Sequence, residues 1–301
     1  MTSRSRATIK KGVYGLIVRV AQGALLFVGV AEFSARERSD LAVGLVAVQV
    51  LNLVTNFGIP TLLIRSFSYD LNVSAVVLIR SYILLTCGGM LIIGFAGLSL
   101  FDNPAFAAAV AILFFGTSCI SALEYWALGS GSYDSFLRGP AVVHGALSVM
   151  AAPAAVLSGS ASIGIVILAC ATLLPFATKW AARSLRSIGH SRGDSRNASW
   201  AWVSSAIQIG LATVGATILY GADVFILRFS GWVGEDAVYR LAISGVNLFV
   251  GLLPASFFVL KDVASGIEVT RGFIVGCATC VAFLSIGAGV LGWRLEGPVR
   301  E

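Results

Sequence analysis

Apolar runs of about twenty residues recur along the chain, with polar residues gathered between them. That is the length a helix needs to cross a hydrocarbon core about 30 Å thick. The pattern predicts nine membrane-spanning helices, at about 13–31, 41–63, 75–99, 105–127, 140–158, 161–178, 202–222, 238–259 and 272–292. Strands of a membrane barrel would alternate apolar and polar residues over about ten positions, and these runs do not. The expected fold class is an all-α polytopic membrane protein.

The polar segments set the organisation. "SGSAS" at 158–162 reads as a tight turn, and "GSGSYDSFLRG" at 129–139 as a short loop on the other side. The longest polar stretch, "KWAARSLRSIGHSRGDSRNAS", carries five basic residues and one acid. It reads as a linker that touches phospholipid through its charge. It divides the chain into a six-helix bundle over 1–178, a linker over 179–200 and a partial bundle of three helices over 201–301.

The pattern of the two bundles suggests an internal repeat. "SDLAVGLVAVQVLNLVTNFGIPTLLIRS" (39–66) and "EDAVYRLAISGVNLFVGLLPASFFVLKD" (235–262) each open with an acid and carry Asn-Leu in mid-helix. Each has a proline further on, Pro60 and Pro254, and a basic residue near its end, Arg65 and Lys261. The offset of about 195 places the eighth helix on the second, which implies a parallel repeat of six helices with the second copy incomplete.

Composition agrees with the periodicity. Hydrophobic residues make up 57% and charged residues 12%, against about a quarter charged in ordinary globular domains. The net charge of +6 does not call for nucleic acid, because the basic residues follow membrane topology. With the N-terminus in the cytoplasm, fourteen of the 21 Lys and Arg fall on the cytoplasmic side and six opposite, with Arg19 inside the first helix. Arg36, Arg38, Arg228 and Arg240 count among the six. The basic N-terminus before an apolar run resembles a signal peptide, but no small-residue cleavage site follows, so a retained first helix is expected.

The five cysteines, Cys87, Cys119, Cys170, Cys277 and Cys280, all lie in apolar runs and read as buried thiols. No P-loop, GxSxG or HExxH motif is present, so no catalytic residue, cofactor or metal is expected.

Polar residues inside the spans are the candidate chemistry, since a charge at the bilayer centre costs about 2.5–3.5 kcal/mol on insertion scales. Arg19 lies in the first helix with Gln22 one turn on. It either snorkels to the surface or lines a cavity. Gln49, Asn52 and Asn56 form one helical stripe that ends in Gly58 and Pro60, a pattern suited to a water-filled face and a bend. Glu124 beside Tyr125 and Trp126 reads as a solvated interfacial acid, and His144 as either a satisfied core histidine or a proton carrier. Asp223 and Arg228, spaced i,i+5 at the end of the seventh helix, suggest a structural helix-end ion pair, or else a gate or ion-coupling site.

"EFSARERSDLAVGLVAVQVLNLVTNFGIPTLLIRS" and "GADVFILRFSGWVGEDAVYRLA" resemble the second helix and the seventh-to-eighth helix region of O-antigen-type polysaccharide flippases. These belong to the multidrug/oligosaccharidyl-lipid/polysaccharide exporter superfamily. Arg240 stands where that resemblance leads one to expect a small or apolar residue. The family has twelve or more helices, so the chain looks C-terminally shortened. The resemblance implies flipping of a lipid-linked oligosaccharide by alternating access in the bacterial inner membrane, with polysaccharide polymerase and assembly proteins as partners. It implies that Arg19, Gln22, Gln49, Asn52, Asn56 and Asn247 contact the substrate, with Asp223 and Arg228 in gating or ion coupling. A small-molecule or drug exporter of the same superfamily, or a membrane-embedded glycosyl- or acyltransferase, is the alternative.

Overall fold

The computed structural model describes residues 3–56, 58–59, 62–63, 75–190, 203 and 221–252, and among them there is no strand. The first helices are α1 (Ser3–Glu32), α2 (Ala35–Asn56), α3 (Ala75–Leu100) and α4 (Pro104–Gly129). Next comes α5 (Tyr133–Ser158), which contains a π-helical turn over Leu137–Ala141. Helix α6 (Ala161–Leu173) runs into a 3₁₀ turn over Leu174–Ala177, and α7 (Lys179–His190) follows. Helices α8 (221–229) and α9 (Glu235–Leu252) form a hairpin. The predicted ninth helix, Cys277 and Cys280, and most of the predicted seventh helix lie outside the described residues.

Helices α2, α3, α4 and α5 are each long and apolar enough to cross a membrane, and the bent α6–α7 pair passes the same test jointly. The chain is a multi-pass helical membrane protein. Its surface fits that conclusion. Only 22% of the most apolar window of α3 is buried inside the protein. Leu84, Leu91, Ile92, Phe95 and Leu98 project outward from it. An exposed stripe of that size suits lipid rather than water.

Helix α4 is the central post, packed against α2, α3 and α6. Its start is well specified: Asn103 Oδ1 accepts from the backbone N–H groups of Ala105 and Phe106, and Pro104 occupies the first turn. Phe114, Leu113 and Val110 on its buried face meet Leu41, Val43 and Val46 of α2 and Ile165 and Leu168 of α6 in one core. Small residues bring the backbones together, as expected where lipid supplies no hydrophobic drive for association.

Several boundaries move for physical reasons. Helix α2 stops at Asn56, short of the predicted 63. Gly58 follows with φ of 73°, a left-handed conformation that interrupts the helix. Helix α5 begins at Tyr133, inside the segment expected to be a loop, because Tyr133 and Phe136 are buried against Tyr14 and Trp180. The π turn then accommodates Pro140, which has no N–H to donate. The first twelve residues of the predicted linker are helix α7, bent 67° from α6. Trp180, Ala181 and Ser184 of α7 face the bundle, while Lys179, Arg183 and Arg186 are exposed.

Gly116 of α4 marks the tightest approach between α4 and α6, since a Cβ there would collide with the Thr172 side chain. Gly116→Val should destabilise the protein by roughly 2 kcal/mol through overpacking. Gly88→Val, on the open face of α3, should leave thermal unfolding in detergent unchanged. Equal melting temperatures for both variants would contradict this packing.

Candidate functional site

Polar side chains inside the bundle fall into two layers. The outer layer lies where α2 and α9 begin and α3 and α8 end. The Arg228 guanidinium on α8 is its centre. Its Nη2 donates to Asp40 Oδ1 at 2.6 Å and to the Leu100 carbonyl at 2.8 Å, and its Nη1 donates to Ser39 Oγ at 2.8 Å. Its carbon sits 5.9 Å from the centre of the Phe101 ring. Helix α2 and the end of α3 thereby supply the groups that replace water around a cation carried by α8.

Ser39 passes the network on. Its hydroxyl donates to Asp236 Oδ2 at 2.5 Å. Asp236 Oδ1 accepts from the backbone N–H groups of Gly234 and Ala237 at 3.0 and 2.9 Å. Ser39 and Asp236 are both wholly buried. Asp236 lies in the first turn of α9, where the helix dipole favours an anion. Gly234 has φ of 98°, and a Cβ there would come within 3 Å of the Arg38 guanidinium, so no larger residue fits this turn. Arg36 and Asp102 pair on the exposed rim.

Asp223 and Arg228 do not form the expected helix-end ion pair. The i,i+5 spacing turns them to different neighbours. Asp223 accepts from the Tyr239 hydroxyl at 2.8 Å, across the α8–α9 hairpin, and from the backbone N–H of Val224. Arg228 belongs to Asp40 and Ser39. Helix α8 also runs to 229, so both residues lie within a helix rather than just past the predicted end at 222.

The inner layer centres on α2. Arg240 of α9 is buried, 5% exposed, and donates to Gln49 Oε1. This corrects its assignment to an outer segment: it stands within α9 and its side chain reaches deep along α2. Gln49 follows Asp40 by nine residues, roughly 13 Å along the helix from the Arg228 layer. Asn52 Oδ1 accepts from Ser118 of α4 at 3.4 Å and from Tyr82 of α3 at 3.5 Å, both long contacts. Thr55 turns its hydroxyl back to the Leu51 and Asn52 carbonyls. Asn56 Oδ1, Thr86 Oγ1 and Thr117 Oγ1 are buried without a hydrogen-bond partner among the described residues. Buried acceptors and hydroxyls of that kind call for water or a bound ligand.

The remaining predicted residues spread out. Arg19 is exposed on α1 and Gln22 is half-buried, and no hydrogen bond joins either to the α2 stripe among the described residues. Asn247 lies in α9, and its side chain is outside the described residues. His144 is a satisfied histidine: its Nδ1 is hydrogen-bonded to the Tyr14 hydroxyl at 2.6 Å. Glu124 is half-buried and accepts from Tyr133 at 3.2 Å. Cys87 and Cys170 are exposed free thiols on apolar helices, not buried ones, and Cys119 is half-buried.

Sequence reasoning overlooked Ser39, Asp40 and Asp236. The one available signal was that a hydroxyl and an acid open the segment 39–66 and two acids open the segment 235–262. Among the described residues no group of three His, Cys, Asp or Glu can hold a metal. Comparison of the chain with family models, curated proteins and solved structures finds no match.

Asp236→Ala should strand the Ser39 hydroxyl and two buried backbone N–H groups, lowering stability by about 2–3 kcal/mol. Asp223→Ala loses an exposed contact to Tyr239 and should cost about 0.5 kcal/mol. Thermal unfolding of both variants in one detergent separates them, and an Asp236→Ala protein as stable as the parent would refute the buried network.

Proposed function

We propose that the protein transports an anionic, lipid-linked oligosaccharide across the membrane by alternating access, in the manner of the polysaccharide flippases its sequence resembles. The observation that supports this reading best is Arg240. A buried arginine at membrane depth is costly and marks a functional path by default. Its hydrogen-bond partner is a neutral amide, Gln49. Asp223 on the neighbouring helix adds an electrostatic attraction. A guanidinium so held retains donors for a diphosphate, which it binds in bidentate fashion.

The two layers suit such a cycle. Asn52, Asn56, Thr86 and Thr117 offer polar groups for water or sugar hydroxyls. The Asp40–Arg228–Ser39–Asp236 network shuts the end at which α2 and α9 begin. With the N-terminus cytoplasmic, that end faces outward, and the network is the closed outer gate. Breaking it would let α8 and α9 rock away from α2. The sequence similarity of 39–66 to 235–262 adds support, since it aligns Ser39–Asp40 with Glu235–Asp236, and Ser39 bonds Asp236 across the contact between these two segments. The substrate enters from the leaflet on the other side, with α1 and its Arg19 and Gln22 near the entry. The setting is a bacterial inner membrane, with polymerase and assembly proteins taking up the product.

Arg240→Gln should abolish surface glycan export in cells that depend on the protein, with membrane abundance unchanged. Asn52→Leu should reduce it at least about tenfold, the equivalent of about 1.4 kcal/mol. Arg19→Ala tests the entry role separately. Undiminished export by Arg240→Gln would overturn the reading. Retained efflux of a small organic cation, with no glycan dependence, would identify a drug exporter instead.

A further inference from the structure

A second feature lies at the opposite end of the bundle and is independent of the proposed substrate. Helices α1 and α5 leave between them a groove of about 700 Å³. Its walls include Ile17, Leu137, Val142, Ala146 and Val149, and it is partly open at the protein surface. Val142, Val149 and Ile17 are 59%, 50% and 42% exposed. The back of the groove is braced by the hydrogen bond from Tyr14 to His144. From Leu137 to Val149 the groove extends roughly 18 Å, close to the depth of one leaflet of a core about 30 Å thick. It accommodates one acyl chain of one leaflet.

The mouth of the groove is charged. Arg138 lines it, with Asp134 one turn away. Here the π turn of α5 brings Gly139 against Thr178, at 3.9 Å from a Cβ on Gly139 to the Thr178 Cβ. Arg138 and Lys179 therefore flank one contact. Thr178 is also where the chain turns 67° into α7. That helix is held by Trp180, whose ring meets Phe136 edge-on at 5.8 Å. It carries Lys179 and Arg183 on its exposed face. A basic amphipathic helix leaving a span at this angle lies along the interface, where head groups sit.

We infer that this groove and α7 form a binding site for an anionic phospholipid, its acyl chain between α1 and α5 and its phosphate on Arg138, Lys179 and Arg183. Three cations against Asp134, with Glu124 engaged by Tyr133 behind the groove, favour an anionic head, and the apolar groove requires a lipid tail rather than a free phosphate. The π turn is the device that joins the two halves of the site, and such turns are frequent at functional positions.

Native mass spectrometry of the full chain, released from nanodiscs of mixed phosphatidylglycerol and phosphatidylcholine, tests the site. Phosphatidylglycerol should be retained preferentially. Each neutralised cation should weaken that retention about fivefold, and Arg138→Gln, Lys179→Gln and Arg183→Gln together about a hundredfold. The charge-preserving set Arg138→Lys, Lys179→Arg and Arg183→Lys should keep it, which controls for folding. Ala146→Trp should reduce retention of both lipids by filling the groove. Equal retention of the two lipids by the parent, or an unaltered preference in the triple Gln variant, would overturn the site. Displacement by inorganic phosphate alone would rule out the acyl groove. Displacement by a polyprenyl phosphate at equimolar phosphatidylglycerol would overturn the phospholipid assignment and give the groove to the transported substrate.

Discussion

In hydrocarbon a charged side chain persists only where other protein groups replace its water, and the Arg228 guanidinium is where this demand is met most fully. Asp40, Ser39 and the Leu100 carbonyl take its donors, and the Phe101 ring lies beside it. These partners come from α2 and from the end of α3, so solvating one cation fixes α8 against both. Because Ser39 also donates to Asp236, the same set of bonds orients α9. A buried charge network is weak evidence for extra stability, but removing one partner leaves the rest uncompensated. The contact between the start of the chain and its later helices therefore depends on every member being present.

The inner layer obeys the opposite rule. Asn52 makes only long contacts, and Asn56, Thr86 and Thr117 each keep an atom without a hydrogen-bond partner among the described residues. Polarity is thus largely matched at one end of the bundle, where Arg38 Nε is the buried atom left without a partner among the described residues, and is left more open further along α2. An apolar core would have cost less to build there. Side chains that tolerate water or a changing ligand belong where something passes, and Arg240 extends that property across to α9.

The interruptions within helices lie away from the Arg228 network, whose own left-handed glycines, Gly231 and Gly234, belong to the turn between α8 and α9. Gly58 in its left-handed conformation, the π turn at Pro140 and the bend at Thr178 all lie toward the end that carries α7. A tightly bonded end and an end rich in helix interruptions suit a motion that opens one while the other deforms locally. The aromatic group of Tyr14, Tyr133, Phe136 and Trp180 holds α1, α5 and α7 together there without charge.

The sequence alone determined the class of protein and the spans of α2 to α5. Hydrocarbon forces backbone groups to bond within each segment, so the length of an apolar run is enough to locate a helix. It also made legible the interruption after Asn56, because glycine and proline act locally, and the polar stripe of α2, because residues of one helix share a face by period. It did not reveal that Asp223 turns to Tyr239 and Arg228 to Asp40, nor that Arg240 reaches Gln49. Nor did it show Trp180 drawing a polar linker into a helix. Those pairings join residues as many as 191 positions apart, and no local periodicity records them. Only the packing of α2, α8 and α9 against one another decided which charges would meet, because in a medium without water each had to find its partner across the fold.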